Sequence, residues 1–263
     1  MTSRSSVAAG AAPASGTTAA VTLVELNAQT AECRRCPRLV AWREEIAATK
    51  RASFRDETYW GRPVPGFGDP EAWLLIVGLA PAAHGANRTG RMFTGDRSGD
   101  WLFRALHRAG LASQSEAVSS DDGLELKGVY ITASVRCAPP ANKPTTAERD
   151  NCRPWLEREL DLLANVRVIV ALGGFAWQNV WALLKDRGYS VPTPRPKFGH
   201  GAEVEIQASD SQTVSGPEGG RSYPEHDLTV IGSYHPSQQN TFTGTLTEPM
   251  FDALWSRAVS LRP

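Results

Sequence analysis

The stretch WLLIVGLA, residues 73–80, is apolar along almost its whole length. A second stretch of the same kind, VRVIVALG, occupies residues 166–173. Apolar runs of strand length are typical of strands that helices cover on both faces of a parallel sheet, because neither face is left to solvent. Two further β-rich runs are VYITASVRC, residues 129–137, and LTVIGSYH, residues 228–235. The sequence therefore predicts a buried sheet built from these four strands.

Helical patterns lie between the predicted strands. Residues 98–111, SGDWLFRALHRAGL, place apolar side chains on one face, and Ser98 is the predicted N-cap. Thr145 and Glu148 have the spacing of a capping box, and Pro154 is predicted to start a second helix at its first turn. This alternation predicts an α/β fold with a mostly parallel sheet and helices on both faces. Ligands of such folds bind at the carboxyl ends of the strands.

Two segments depart from the alternation of strands and helices. Residues 1–22 consist mainly of Ala, Ser, Thr and Gly, which predicts a disordered tail followed by a single domain over residues 23–263. Residues 199–227 are rich in Gly, Ser and Glu. They predict a hairpin followed by a flexible insertion.

Charge and hydropathy exclude some classes of function. The 28 basic and 28 acidic residues cancel, so a nucleic-acid partner must be held by a local basic surface. No apolar run approaches the roughly 20 residues that span a bilayer, which excludes membrane insertion. The N-terminal stretch lacks the apolar core of a signal peptide, and we expect a cytoplasmic location.

The chain has four cysteines, and their spacing is informative. Cys33 and Cys36 form a C-x-x-C pair, whereas Cys137 and Cys152 follow about a hundred residues later. Disulfides are not expected without a secretion signal. The spacing suits an iron–sulfur cluster at least as well as zinc, since four-cysteine zinc sites use two close C-x-x-C pairs. An iron–sulfur cluster, a zinc ion and four unrelated thiols all remain open on spacing alone.

Three polar loops follow predicted strands. They are GLAPAAHGANRTGRMFTG at residues 78–95, VRCAPPANKPT at residues 135–145 and HPSQQNTFTG at residues 235–244. Loops of this kind are either plain surface connections or binding loops on a rigid scaffold. Glycines in the first loop let the backbone approach a ligand, although it does not match the G-x-G-x-x-G pattern of dinucleotide binding.

Together with the four cysteines, these three loops resemble the uracil-DNA glycosylase superfamily, and most closely its family 5, the iron–sulfur type B enzymes. The resemblance runs from about Cys33 to the C-terminus. It implies a three-layer α/β/α sandwich that flips a damaged base out of DNA and hydrolyses its N-glycosidic bond. It also implies a 4Fe-4S cluster on the four cysteines, a substrate range beyond uracil, and a monomer whose partner is DNA containing uracil or other deaminated bases. The implied cluster ligands are Cys33, Cys36, Cys137 and Cys152.

The chemistry of base release indicates a role for His235. Cleavage leaves an anionic base, so a preorganised hydrogen-bond donor to a base carbonyl lowers the barrier. His235 follows a predicted strand and is placed to donate that bond; the alternative is a histidine that caps the strand end. Phe93 corresponds to the aromatic residue that stacks on the flipped base in similar enzymes, whereas without the resemblance it would be assigned to the core.

The residue that orients the attacking water is not evident. Better-known relatives carry Asp, Asn or Glu in the first motif, but residues 78–81 here read GLAP and hold no ionisable group. The candidates are Asn142, Asp96 and His84, in that order.

The substrate pocket also departs from better-known relatives. Ala133 and Ser134 stand where relatives have an asparagine that recognises uracil, so we expect weaker discrimination between bases. The predicted substrate-binding residues are Ala80, Phe93, Asn240 and His84.

Basic residues of the loops are predicted to contact DNA phosphates, namely Arg88, Arg91, Arg97 and Lys143. Phe242 is predicted to fill the gap that the flipped base leaves in the duplex. No lysine stands where a Schiff-base nucleophile is expected, which favours a monofunctional glycosylase. The alternative function is a non-catalytic metal-containing protein that binds damaged or single-stranded nucleic acid. A deaminase is excluded, since its H-x-E and P-C-x-x-C zinc motif is missing.

Overall fold

The computed structural model describes residues 21–208 and 226–263. In these ranges the helices are α1 Leu23–Ala31, α2 Pro37–Thr49, α3 Ala86–Thr89, α4 Arg97–Arg108, α5 Thr146–Leu162, α6 Gly174–Asp186, α7 Gln238–Phe242 and α8 Glu248–Ser260. The strands are β1 Phe67–Gly68, β2 Leu74–Gly78, β3 Val129–Ala133, β4 Val168–Leu172, β5 Glu203–Ile206 and β6 Leu228–Ser233. Short 3₁₀ helices occupy Ala52–Phe54 and Pro140–Asn142.

The strands form one sheet in the order β1-β3-β2-β4-β6-β5. The four predicted strands, β2, β3, β4 and β6, are parallel to one another, and Ile76 of β2 lies between Ile131 and Val170 of its neighbours. The short edge strands β1 and β5 run antiparallel. The carboxyl ends of the central strands therefore share one edge of the sheet, and the loops that follow them meet there.

Helices cover both faces of the sheet. Leu74 and Ile76 of β2 pack in the same core cluster as residues of α4 and α8. Leu75 and Val77 of the same strand pack with residues of α5 and α6. Because successive side chains of a strand point to opposite faces, β2 is apolar throughout. The predicted α/β/α sandwich is confirmed.

Two predicted helix boundaries are wrong. The N-cap of α4 is Asp96 rather than Ser98, because the Asp96 carboxylate accepts a hydrogen bond from the Gly99 amide at 3.0 Å. Pro154 starts no second helix and lies inside a continuous α5. Proline has no backbone N–H and so cannot donate a helical hydrogen bond to the carbonyl four residues earlier. Here that carbonyl belongs to the exposed Asp150, so water can donate to it instead. The capping box of Thr145 and Glu148 is confirmed.

The N-terminal segment joins the sandwich through α1. Thr22 and Glu25 form a capping box, and Asn27 and the Tyr130 hydroxyl are 3.3 Å apart. Thr22 was assigned to the predicted tail, whose first 20 residues lie outside the described part of the chain.

The segment predicted as a hairpin contributes one strand, and its partner is the already predicted β6. β5 pairs antiparallel with β6, and residues 209–225 between them lie outside the described ranges. Among the helices of the described residues, none has the length and apolar character needed to cross a membrane.

Candidate active site and cysteine pocket

The carboxyl edge of the sheet brings two predicted site residues together. Phe93, in the loop after β2, and His235, directly after β6, have ring centroids 5.8 Å apart with planes inclined by 30°. Gly173, which follows β4 between them in the sheet, lies beside His235, and a Cβ there would be in ordinary contact with the Cβ of His235 at 3.5 Å. Three parallel strands thus position one aromatic residue against one imidazole.

Phe93 is held by its backbone and by two glycines. Its φ of 54° lies in the left-handed region, which non-glycine residues rarely adopt. A Cβ on Gly78 would lie 2.9 Å from the Phe93 ring, and a Cβ on Gly99 would lie 1.7 Å from the Phe93 carbonyl oxygen. Strained conformations of this kind occur at functional sites where the surroundings fix them. The half-buried ring packs against the core but is not enclosed by it.

His235 is held by the backbone around it. Its carbonyl accepts a hydrogen bond of 2.8 Å from the Asn240 side-chain amide, and Ser237 caps α7, which begins three residues after it. Among the described residues no hydrogen bond involves its ring, contrary to the alternative of a satisfied strand cap. Burial lowers the pKa of His235 to about 4, so the imidazole is neutral at neutral pH. A neutral imidazole retains one N–H to donate.

Asp96 and His84 each contact neighbouring residues other than His235. One Asp96 oxygen caps α4, and the other lies so close to Gly85 that a Cβ there would be 2.1 Å away. Burial raises the pKa of Asp96. His84 Nδ1 lies 3.0 Å from the Tyr59 hydroxyl, and burial, with nearby Arg51, lowers the His84 pKa.

Asn142 lies on the exposed 3₁₀ turn after β3. Its φ is 55° and that of Ala141 is 52°, so two consecutive residues adopt the left-handed region. Ala80 is half-buried and packs against the cluster of Leu39, Val135 and Cys137. In the described part of the chain, no hydrogen bond joins the side chains of Asn142, Asp96 or His84 to His235. Their predicted roles stay predictions.

Two of the arginines predicted to contact phosphates are buried in ion pairs. Arg91 donates two hydrogen bonds of 2.8 and 2.7 Å to Asp122, with both side chains buried. Arg88 pairs with Glu57 and also donates to the Gly95 carbonyl at 3.0 Å. Their guanidinium groups are occupied inside the protein, so the prediction for this pair is wrong.

An exposed pair borders the site. The Arg97 guanidinium lies over the Phe242 ring at 4.7 Å, and Phe242 is 67% exposed. Arg97 begins α4 and Phe242 ends α7, so the pair joins the first and last motif loops. Lys143 is exposed on the loop after β3. Their predicted contacts with a nucleic acid stay predictions.

All four cysteines line one small pocket. None of them forms a disulfide. Cys33 and Cys36 precede α2, Cys137 follows β3, and Cys152 lies in α5. Four thiols from three distant segments in one pocket are a donor set for a metal group rather than unrelated residues.

The surroundings of the cysteine pocket supply positive charge and N–H donors. Arg43, 2% exposed, donates to Cys137 Sγ at 2.9 Å, and the backbone N–H of Arg136 donates to Cys152 Sγ at 3.2 Å. Arg136 also lines the pocket and pairs with Glu159, and its Nε and Nη1 lack partners among the described residues. Burial raises the pKa of Cys152 to about 12, so thiolates at this position need compensating cations.

The donor set suits a metal group bound by thiolates. Soft sulfur donors with N–H donors and buried cations beside them fit the anionic iron–sulfur cluster that the resemblance implies. Among the described residues, no group of three or more His, Cys, Asp and Glu side chains is arranged to hold a metal ion.

Several residues of the site were missed from the sequence. Gly173 could have been found as a glycine at the carboxyl end of a predicted strand. Arg43 and Tyr59 stand at positions that carry no motif, and only the folded chain brings them to the pocket and to His84. Arg136 lies in the second motif loop, next to Cys137. His200 lies against the last motif loop, and the isolated G-H-G triplet gives no indication of it.

Comparison with known proteins agrees with this geometry. Residues 65–258 match the family described as the uracil DNA glycosylase superfamily. The type-5 uracil-DNA glycosylase of Mycobacterium tuberculosis is 53% identical over 240 residues, 91% of this chain and 81% of that protein. That of Mycobacterium leprae is 53% identical over 238 residues, 90% of this chain and 94% of the relative. That of Thermus thermophilus is 53% identical over 219 residues, 83% of this chain and 89% of the relative.

Proposed function

The chain belongs to the uracil DNA glycosylase superfamily, and from this we propose that it is a type-5 uracil-DNA glycosylase. It hydrolyses the N-glycosidic bond of uracil in DNA and leaves an abasic site without cutting the strand. The observation that carries this proposal is the contact between Phe93 and a neutral His235 at the carboxyl edge of the sheet. An aromatic surface and a hydrogen-bond donor side by side are what a flipped base requires.

His235 acts on the departing base. As the glycosidic bond breaks, negative charge develops on the base oxygens, and the neutral imidazole donates its N–H to one of them. Its low pKa keeps the imidazole neutral at the working pH, so no proton is transferred before the bond breaks. The donor is fixed by the Asn240 bond to its backbone and by the proximity of Gly173. One preorganised donor of this kind lowers the activation free energy by about 3 to 4 kcal/mol.

Phe93 holds the flipped base. Its left-handed backbone and the two adjacent glycines fix the ring beside His235. Stacking of one base on an aromatic side chain contributes about 1 to 3 kcal/mol, and it tolerates different bases because every base has a π-face.

The polar surroundings of the base support a broad substrate range. The hydroxyl of Ser134 is buried and donates to the Gly78 carbonyl at 3.1 Å, so it is occupied within the sheet. Ala133 offers no polar group. A pocket that does not pair the base edge through an amide discriminates weakly, and hypoxanthine and ethenocytosine are substrates in this proposal. Asn142 is assigned to the attacking water, since its strained turn holds an uncharged amide on the loop after β3.

The cysteine pocket holds a 4Fe-4S cluster in this proposal. Cys33, Cys36, Cys137 and Cys152 are its ligands, with Arg43 and Arg136 beside the sulfurs. When bound, the cluster supplies a structural link between the start of α2, the loop after β3 and α5. No step of the hydrolysis passes through it.

The test of the proposed function is base release. Purified protein is incubated with duplexes that carry one uracil or one hypoxanthine, and alkali then reveals abasic sites. We expect cleavage by wild type and by His107→Ala, whose exposed histidine lies in the last turn of α4, and a large loss in His235→Ala. Cluster-loaded wild type that binds DNA but releases no base would contradict the proposal and favour a non-catalytic nucleic-acid-binding protein.

A further inference from the structure

His200 lies between the last motif loop and α8. Its Nδ1 is 3.3 Å from the backbone nitrogen of Tyr234, the residue before His235. Its Nε2 is 3.2 Å from the carbonyl oxygen of Met250 in the first turn of α8. The imidazole also lies against the Tyr234 ring, with centroids 5.3 Å apart and planes inclined by 35°. One side chain thus connects the start of the loop to a helix of the core.

The two backbone partners determine the tautomer of His200. Its third partner, the Ser233 hydroxyl 3.5 Å from Nδ1, can either donate or accept. The Tyr234 backbone N–H can only donate, so Nδ1 must be the acceptor. The Met250 carbonyl can only accept, so Nε2 must carry the hydrogen. The neutral imidazole with Nε2–H satisfies both contacts, whereas an imidazolium would place an N–H against the N–H of Tyr234.

The segment that carries His200 is itself fixed to β6. The Gly201 amide donates to the Gly232 carbonyl at 2.8 Å, and the Gly232 amide donates to the Ala202 carbonyl at 2.7 Å. The carbonyl oxygen of Gly199 lies 2.6 Å from where a Cβ on Gly232 would be. The segment is therefore fixed relative to β6, which ends at Ser233 just before Tyr234 and His235, and His200 provides a fixed acceptor.

We propose that His200 is a positioning residue, which holds the Tyr234 N–H and thereby sets the direction in which His235 leaves β6. This inference rests on the proposed function. His200 touches neither substrate nor reacting atoms, and it acts through the backbone of the catalytic loop. Tyr234 lies beyond the end of β6, where hydrogen bonds between strands no longer hold the backbone. The His200 side chain therefore accepts the hydrogen bond of the Tyr234 N–H in place of a neighbouring strand.

Three substitutions separate positioning from bulk packing. In His200→Asn the side-chain oxygen can occupy the place of Nδ1 and accept from Tyr234. In His200→Gln the side-chain amide reaches toward Met250 but leaves the Tyr234 N–H without its acceptor. His200→Ala removes both contacts, and His107→Ala is the matched control.

The readouts are the single-turnover rate of uracil release and the affinity for a duplex carrying a stable abasic-site analogue. We expect His200→Ala and His200→Gln to lose about 10- to 100-fold in rate with little change in affinity, because small misplacements of a catalytic group have effects of that size. We expect His200→Asn to recover most of the rate. Equal losses in the Asn and Ala variants, or a wild-type rate in His200→Ala, would overturn the positioning role.

A measurement on the free protein is independent of activity. The ¹⁵N shifts of the His200 ring distinguish the two neutral tautomers, and we expect Nε2–H with an unprotonated Nδ1. The opposite tautomer would overturn the inference even if uracil release depends on His200. Wild-type protein without any uracil release would instead contradict the proposed function.

Discussion

The substitution Gly78→Ala tests whether the position of Phe93 controls base release. An added Cβ would lie 2.9 Å from the ring ζ carbon and 3.0 Å from an ε carbon, whereas an ordinary contact begins at 3.4 Å. The ring must therefore move by about 0.5 Å, the difference between the first and last of these distances. The Phe93 backbone cannot retreat, because Gly99 of α4 lies directly against its carbonyl. The Phe93 ring is therefore the group that moves, and its alignment with His235 changes.

The expected magnitude follows from the stacking energy. Loss of part or all of the stacking contribution, about 1 to 3 kcal/mol, lowers the rate by about 5- to 150-fold. The assay is single-turnover release of uracil from a duplex, with thermal unfolding to show that the fold is intact. Gly199→Ala is the control, because the nearest atom to its added Cβ would be 3.9 Å away.

A double-mutant cycle decides whether the effect passes through Phe93. In the Phe93→Ala protein the new methyl group at residue 78 meets no ring, so adding Gly78→Ala should lower the rate of uracil release little further. A wild-type rate in Gly78→Ala would refute the reasoning. If the rate losses of the two single variants add fully in the double variant, the reasoning is equally contradicted, because Gly78→Ala would then act through something other than the Phe93 ring.

Four further predictions follow from the structure. Arg91→Met should destabilise the fold by about 3 to 5 kcal/mol in urea unfolding, because it leaves the Asp122 carboxylate buried without its partner. It should leave the salt dependence of DNA affinity unchanged. Arg97→Ala, which removes an exposed cation, should weaken DNA binding and reduce that salt dependence. The rate of uracil release should show no titration near pH 6.5 and should change only toward pH 4, because the lowered pKa of His235 keeps the imidazole neutral until then. A titration near pH 6.5 would contradict that lowered pKa. Cys152→Ala should abolish the iron content and visible absorption of the purified protein, whereas an unchanged iron content would exclude this ligand.

The sheet could be predicted from the sequence because burial on both faces makes a recognisable pattern. β2 and β4 are apolar over their whole length, and both lie where expected. The capping box at Thr145 was equally visible, since its two residues are local. The prediction for Pro154 was wrong. Proline is common in the first turn of a helix, but a long helix such as α5 can also contain one on its solvent side, where the loss of one hydrogen bond is tolerated.

The site was predictable only where a motif fixes a residue to the end of a strand. His235 was assigned in this way. Phe93 lies well beyond the end of β2 and was assigned through the resemblance to the superfamily, and the structure brings the two rings together. Charged residues in loops suggest solvent exposure, so nothing local showed that Arg91 turns inward to Asp122. Arg43 and His200 act through contacts far apart in the chain, which no spacing reveals.

The central claim is that neutral His235 stabilises the anionic base as it leaves. It is tested most directly by comparing uracil with 5-fluorouracil, whose more acidic ring leaves as a more stable anion. The measurement is the single-turnover release of each base by wild type and by His235→Ala. The account predicts a loss for uracil that corresponds to about 3 to 4 kcal/mol and a clearly smaller loss for 5-fluorouracil. Equal losses for the two bases would contradict it, because His235 would then act on something other than the charge of the departing base.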